Sequence, residues 1–181
     1  MVEAVKENLI LNRIVGSKVF NITVEGDCII PDIKPDILNA INTTSNVCIY
    51  KKEILEGKIR LDGNVNIYVM YLADSEDGRI RGFNGNIDFT EILDFPGATP
   101  DMTLDENIII REIECKVLNG RKVSFKAMLE VTANLSMNEK EEIVKEISNV
   151  DDIQTQVVNL KMNSLLRAKF NESKCKRNIN N

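Results

Sequence analysis

The sequence predicts a mainly β fold, a sandwich or partly open barrel of about nine strands built from long β-hairpins, with one short helix. This prediction rests on two dipeptides, Glu56-Gly57 and Asn119-Gly120. Each stands between long runs in which apolar and polar residues alternate. That pattern is typical of antiparallel strands joined by a tight turn, in which glycine supplies the positive φ. Because it occurs twice, it predicts an internal hairpin repeat at 46–72 and 107–135.

The N-terminal segment predicts two strands and the helix. Apolar residues alternate over 5–14 and again over 19–30, and glycines interrupt the pattern between and within the two runs. Pro35 suits the first turn of a helix, and the acid Asp36 favours the positive end of the helix dipole. We therefore expect a short helix near 35–42.

The rest of the chain predicts strands separated by turns. Asp77-Gly78 is typical of a further hairpin turn, and the segment 95–101, with two prolines and a glycine, is a connector. The apolar pattern of 138–147 does not complete a helical stripe, so a strand is favoured there. The remaining predicted strand segments are 46–55, 58–72, 80–89, 107–118, 122–135 and 153–166.

Charge divides the chain into two parts. The whole protein has a net charge of −5. The segment 167–181 holds five basic residues and one acid, a net charge of +4, which leaves −9 on residues 1–166. We predict one β domain over 1–166 and a basic, disordered tail over 167–181. A negative domain argues against nucleic-acid binding, which favours a basic stripe.

Targeting signals are not visible in the sequence. The apolar runs are of strand length, and none reaches the length of a membrane span, so we expect no transmembrane segment. The charged N-terminus lacks the apolar centre of a signal peptide. These observations predict an intracellular protein.

The residue types that carry most catalysis are missing. The chain has no histidine, which removes serine and cysteine triads of the usual kind and the commonest metal ligand. Asp74, Glu76 and Asp77 fit a solvated hairpin tip better than a Ca²⁺ loop. Asp32 and Asp36 fit a capped helix entry better than a catalytic carboxylate pair. We predict no catalytic, cofactor-binding or metal-binding residues, no cofactor and no enzyme activity.

Two pairs of adjacent basic residues lie beside the predicted hairpin turns, Lys51-Lys52 and Arg121-Lys122. Charged side chains at such positions commonly protect strand edges from pairing with other chains. We interpret both pairs as edge protection.

An ordered series of short segments resembles a known family. The series comprises Gly26-Asp27-Cys28-Ile29-Ile30-Pro31-Asp32-Ile33-Lys34-Pro35-Asp36-Ile37, Val47-Cys48-Ile49, Ile54-Leu55-Glu56-Gly57-Lys58, Gly63-Asn64-Val65, Val69-Met70-Tyr71, Phe89, Phe95-Pro96-Gly97 and Asn119-Gly120-Arg121-Lys122-Val123. In this order, over about residues 5–165, the chain resembles the SPOCS domain of spore-coat proteins from endospore-forming bacteria.

The resemblance implies a non-enzymatic assembly factor in the mother-cell cytoplasm, at the forespore surface. Its implied partners are a coat morphogenetic ATPase of the SpoIVA type, other coat proteins and further copies of itself, bound through a sheet face or edge. Family members usually carry further domains and a C-terminal LysM module. Since 167–181 has no such pattern, we expect a truncated or frameshifted reading frame; the rival interpretation is a native basic tail for an acidic partner or membrane surface.

Two other functions are compatible with a β domain of this composition. A carbohydrate-binding β-sandwich for cell-wall or spore polysaccharide is the alternative, although the chain has no tryptophan and only three tyrosines, Tyr50, Tyr68 and Tyr71. A hydrolase using acids such as Asp74, Glu76 or Asp101 would need them to meet in one concave pocket.

Overall fold

The computed structural model describes residues 3–148 except Asp77 and shows two three-stranded antiparallel sheets. The strands are β1 (Glu3–Ile29), β2 (Ile37–Leu55), β3 (Lys58–Ala73), β4 (Ile80–Asp94), β5 (Thr103–Asn119) and β6 (Lys122–Ser148). The first sheet has the order β1-β6-β5 and the second has the order β2-β3-β4. The predicted mainly β fold is confirmed.

The two sheets pack face to face around one apolar core. In β3 the side chains of Ile59, Leu61 and Ile67 are fully buried, and in β6 those of Val123 and Val131 are fully buried. All five belong to one cluster that draws on both sheets. At the sides of the sandwich β2 lies next to β5 and β1 next to β4. Within residues 3–148 no helix is long and apolar enough to cross a membrane.

The described residues form six strands where about nine were predicted, because two predicted pairs of strands are each one continuous strand and one predicted strand lies outside these residues. Segments 5–14 and 19–30 are one strand, β1, which passes Gly16 through a register shift against β6. A register shift of this kind is a bulge, which adds a residue and bends the strand while the pairing continues. β6 likewise continues through 138–147, where the preference for strand over helix is confirmed. The predicted segments 153–166 and 167–181 lie outside the described residues, and the domain boundaries stay a prediction.

The helix predicted at 35–42 is wrong. β2 begins at Ile37, whose amide donates to the carbonyl of Gly120 at 2.8 Å. The carbonyl of Pro35 accepts a hydrogen bond from the hydroxyl of Tyr71 at 2.9 Å, and that of Asp36 accepts one from Asp74 at 2.8 Å. These bonds to distant strands satisfy the backbone groups that a helix would have paired locally.

The two hairpin turns contain glycine for different physical reasons. Gly57 has φ of 69° and an ideal Cβ there would meet no atom within 4 Å, so its conformation requires glycine. Gly120 is not among the glycines with positive φ, so the expected reason is wrong at this turn. A Cβ at Gly120 would lie 2.7 Å from the carboxylate of Asp36, and close approach explains this glycine.

The chain crosses from one sheet to the other twice, and at each crossing the loop is bound by a hairpin turn of the sheet that the chain is leaving. Between β1 and β2, the amide of Ile30 donates to the carbonyl of Arg121 at 2.9 Å. Between β4 and β5, the amide of Gly57 donates to the carbonyl of Ala98, and that of Phe95 donates to the carbonyl of Gly57, both at 2.9 Å. The turns thus lock both loops that connect the two sheets.

Gly63 marks the tightest backbone approach inside the second sheet. An ideal Cβ there would lie 2.6 Å from the carbonyl oxygen of Cys48, 2.7 Å from Ile49 and 2.9 Å from the ring of Phe89. Backbone cannot yield at this distance as a flexible side chain could. Only glycine therefore fits at this position without moving the strand.

We expect Gly63→Ala to lower the free energy of unfolding by about 1–3 kcal/mol, the usual cost of overpacking a core. The measurement is urea unfolding followed by circular dichroism. The matched control is Gly82→Ala in β4, where the nearest atom to the added Cβ is the carbonyl oxygen of Val69 at 3.4 Å. Equal unfolding midpoints for the two variants would contradict this assignment.

Asp62 is an acid held in a nearly buried position of β3, with 7% of its surface exposed. Its Oδ1 accepts hydrogen bonds from the hydroxyl of Thr90 at 2.8 Å and from Nε of Arg60 at 3.1 Å. The bond from Thr90 is the main cause of a lowered Asp62 pKa; burial acts against it, and Arg60 adds to the lowering. The folded state therefore favours the ionised carboxylate.

A lowered pKa in the folded state means that the unfolded chain binds the proton more readily. The contribution of Asp62 to stability is present above about pH 4, the ordinary range of an aspartate, and is lost as pH falls through the folded pKa. The quantity to measure is the urea concentration at the unfolding midpoint as a function of pH. We expect Asp62→Asn to reduce the decrease of this midpoint at acidic pH. Thr90→Val brings the folded pKa of Asp62 closer to its unfolded value, so it should also reduce the loss of stability at low pH, though less than Asp62→Asn does. Thr90→Ser keeps the hydroxyl and should behave as the wild type does. A Thr90→Val curve identical to the wild-type curve would refute the coupling.

Candidate functional site: a projecting arm and a clamped loop

A two-stranded arm extends beyond the sandwich. β1 and β6 pair from Glu3 opposite Ser148 to Ile29 opposite Lys122. β5 begins at Thr103, which pairs with Ser136, so the later residues of β6 have only β1 beside them among the described residues. We call residues 4–15 and 137–146 the arm. At the rise of an extended strand it is about 30 Å long.

The arm carries apolar side chains in solvent. Ile10 is 63% exposed and Ile14 is 61% exposed, and in the register they lie on one face, opposite Lys140 and Ser136. On β6 the side chain of Val144 is also more than half exposed. A two-stranded ribbon is marginally stable by itself in water. Exposed apolar surface on such a ribbon commonly marks a site of association.

Ion pairs across the ribbon fix its register. Lys6 pairs with Glu142, Lys145 with Glu7 at 3.1 Å, and Arg13 with Glu139 at 3.5 Å. Each pair is exposed, so each contributes at most about 1 kcal/mol to stability. The pairs nevertheless disfavour a slipped register, because a slip of one residue would place their side chains on opposite faces.

The base of the arm is anchored to the connector between β4 and β5. Gly16, at the bulge of β1, leaves room for the ring of Phe95, whose nearest atom lies 3.2 Å from an ideal Cβ at that glycine. The rings of Phe20 and Phe95 are 6.3 Å apart, and Nζ of Lys18 donates to the carbonyl of Asp94 at 2.8 Å. The arm therefore begins from a fixed point on the sandwich.

At the opposite end of β1, one arginine clamps the loop of residues 30–36. Nη2 of Arg121 donates to the carbonyl of Ile30 at 3.0 Å and to Asp32 at 2.7 Å. Nη1 donates to the carbonyl of Lys34 at 2.8 Å and to Asp36 at 3.1 Å. Partial desolvation acts to lower the pKa of Arg121, but the bonds to the two carboxylates outweigh it and the pKa is raised.

This clamp corrects two interpretations made from the sequence. Asp32 and Asp36 do not cap a helix, and Arg121 does not protect an edge. The guanidinium of Arg121 instead forms an ion pair with each of the two carboxylates. Sequence reasoning missed the clamp because its partners lie 85 or more residues apart. The clamped loop presents Ile33 at its tip with 92% of its surface exposed, which makes it a second candidate contact.

The acids considered for hydrolysis do not meet. Asp74 follows β3, whereas Asp101 follows β4, so the length of β4 separates them, about 45 Å for its 15 residues. Asp101 instead accepts a hydrogen bond from the hydroxyl of Thr99 in its own loop, which is the main cause of a lowered Asp101 pKa. Among the described residues no group of three or more cysteine, aspartate or glutamate side chains could hold a metal ion.

Comparison with known families bears on these elements. Residues 36–118 match the family described as SipL, SPOCS domain. Over these residues the chain is similar to the SPOCS-domain family. The matched segment begins at Asp36 in the clamped loop, ends at Leu118 beside the clamping turn, and spans just under half of the chain. No curated protein and no solved structure matches the chain.

The SPOCS domain is a non-catalytic domain family of coat proteins. A SPOCS domain in residues 36–118 implies a role related to the spore coat in sporulation. The resemblance drawn from the ordered sequence segments is confirmed at the level of the family. From the charged start Val5-Lys6-Glu7-Asn8-Leu9 we further predict a particular likeness to the N-terminal region of SipL.

We expect Arg121→Ala to loosen the loop and to speed hydrogen exchange at the amides of Ile30 and Ile37, which bond to the clamping turn. Arg121→Lys should give an intermediate result, because a lysine cannot reproduce the fork of donors. The control is Lys122→Ala, which removes only an ion pair to Asp27. If Arg121→Ala and Lys122→Ala showed the same exchange rates at residues 30–37, the clamp would have no role in ordering the loop.

Proposed function

We propose that this protein is a non-enzymatic interaction module of spore-coat assembly that binds coat morphogenetic partners through its arm. The observation that carries the proposal is the arm itself, an extended ribbon with apolar side chains in solvent. The family supports the setting, since SPOCS domains are domains of coat proteins. We place its action in the mother cell, at the forespore surface.

Strand addition is the binding mode that the arm favours. Beyond Ser136 the outer edge of β6 has no strand beside it among the described residues, so its backbone groups can pair with an added strand. A partner strand at 137–146 would continue the line of β5 along the same sheet. Pairing there would also give the marginal ribbon a third strand, which stabilises a sheet.

Charge favours a basic partner segment at this edge. Along 137–146 the arm carries four glutamates and two lysines, and residues 1–166 together carry −9. Complementary charge mainly increases the rate and the specificity of association. The exposed Ile10 and Ile14 supply apolar contact on the face of the ribbon, where a few residues would carry most of the affinity.

We also propose that this protein has no enzyme activity. The chain has no histidine, and Asp74 and Asp101 stand far apart. A binding role needs neither a nucleophile nor an acid–base pair. The partner that we propose first is a coat morphogenetic ATPase of the SpoIVA type, with other coat proteins and a second copy of this chain as further partners.

The test is calorimetric titration of the full chain into a purified ATPase of the SpoIVA type. We expect binding, and we expect Ile10→Lys combined with Ile14→Lys to weaken it about tenfold or more, since a buried apolar contact would be replaced by charge. The matched control is Val19→Lys, an equally exposed position of β1 beside the sandwich, at 54% exposure.

The control variant should bind as the wild type does, and all variants should keep the β-sheet circular dichroism signal. No binding by the wild-type chain would remove this partner. Unchanged affinity of the arm variant would remove the arm as the binding site.

A further inference from the structure

The outer face of the second sheet holds an uncharged patch rich in amide side chains, which we call the amide face. It comprises Asn42, Thr44, Asn46, Asn66, Tyr68, Met70, Gly82, Asn84 and Asn86. Charged residues make up 28% of the chain, yet none of these nine positions is charged. A solvated sheet face in this protein would be expected to carry several charges, as the arm does.

The strand register aligns these side chains in rows. Tyr68 is opposite Thr44 on one side and Asn84 on the other. The next row along the sheet places Asn66 between Asn46 and Asn86. A third row on the other side of Tyr68 places Met70 between Asn42 and Gly82. Strand and row spacings make this patch roughly 10 by 14 Å.

The patch faces solvent. Tyr68 is 46% exposed and Met70 is 41% exposed, whereas the alternate residues Ile67, Val69 and Tyr71 point into the core and are buried. Gly82 has no side chain to fill its place in the third row. The resulting shallow hollow of about 230 Å³ is lined by Tyr68, Met70, Asn84 and Asn42, with Thr44 at its side.

We propose that the amide face binds a neutral, hydroxyl-rich polysaccharide chain. An asparagine amide has two N–H donors and an acceptor oxygen, which suits hydroxyl groups that also donate and accept. In this patch Nδ2 of Asn66 already donates to Oδ1 of Asn64 at 3.2 Å. The main candidates to bind hydroxyl groups are therefore the exposed Asn42, Asn46, Asn84 and Asn86. The exposed ring of Tyr68, at the centre of the patch, offers an apolar face with a polar tip, on which a sugar ring can lie. With no charge in the patch, a polyanion or a polycation gains nothing from contact here.

Other occupants fit this face less well. A protein partner or a second copy would need an apolar centre to the contact, and here only Tyr68 and Met70 are large and apolar. Nucleic acid would need cations for its phosphates. The patch also extends past the hollow over three strands, which suits a chain better than one small molecule.

The experiment is titration of the full chain, followed by nuclear magnetic resonance, with two uncharged probes, chitohexaose and cellohexaose, and with hexagalacturonate as a charged probe. We expect at least one uncharged probe to bind, about tenfold or more tighter than the charged one. The shifted amide signals should be confined to the middle of β2, β3 and β4.

Two variants test the site. Tyr68→Ala should weaken binding about tenfold, and Asn84→Ala should weaken it about threefold, the usual effect of losing an aromatic contact and one hydrogen bond. The matched control is Asn21→Ala, an exposed asparagine on the outer face of the first sheet. Variants of the arm should bind the probes as the wild type does, so this test is separate from that of the partner protein.

Absence of any shift with millimolar chitohexaose and cellohexaose would overturn the proposal. Equal binding of the charged and uncharged probes would do the same. Binding that Tyr68→Ala leaves unchanged, in a variant with wild-type thermal stability, would place the ligand elsewhere and also overturn it.

Discussion

Hydrogen bonds between the glycine turns and the sheet-crossing loops hold the two halves of this protein together. The turn at Gly120 and Arg121 binds the loop between β1 and β2, and the turn at Gly57 binds the connector between β4 and β5. Each turn belongs to a hairpin within one sheet, while the loop that it binds leaves for the other sheet. These bonds act together with the apolar core, which draws on both sheets.

The arm is a consequence of unequal strand lengths. β1 and β6 have 27 residues each, whereas β5 has 17 and begins opposite Ser136. The part of β1 and β6 that extends beyond β5 projects from the sandwich, and it includes the exposed side chains of Ile10, Ile14 and Val144. Exposed apolar side chains beside an unpaired strand edge favour aggregation, because the unpaired backbone groups can pair with other chains. The partner strand that we propose would cover this edge.

The arm and the amide face differ in chemistry, and the difference suits assembly. The arm offers apolar side chains, acidic groups and a backbone edge, which together fit a protein strand. The amide face offers uncharged hydrogen-bonding groups and one central aromatic ring, which fit a polysaccharide. They lie on different sheets, so occupation of one leaves the other open. A module with both could join protein and polysaccharide layers of a spore envelope.

The sequence by itself determined the hairpins, because their signals are local. Alternation of apolar and polar residues selects strand over helix, and the Gly57 turn needs a φ that only glycine adopts readily. The same local reading was wrong at Pro35 and Asp36, which have the composition of a helix start. Arg121, 85 residues further along, takes the carboxylate of Asp36 instead.

Only the tertiary structure decided how the strands meet. The pairing of β1 with β6 joins residues more than 90 positions apart in the sequence. Neither strand by itself shows that the pair extends beyond the end of β5. The amide face is a further case. Thr44, Tyr68 and Asn84 are unremarkable in their own strands and become one row because the register of two ladders aligns them. Registers depend on the packing of a whole core, which no short segment of sequence contains.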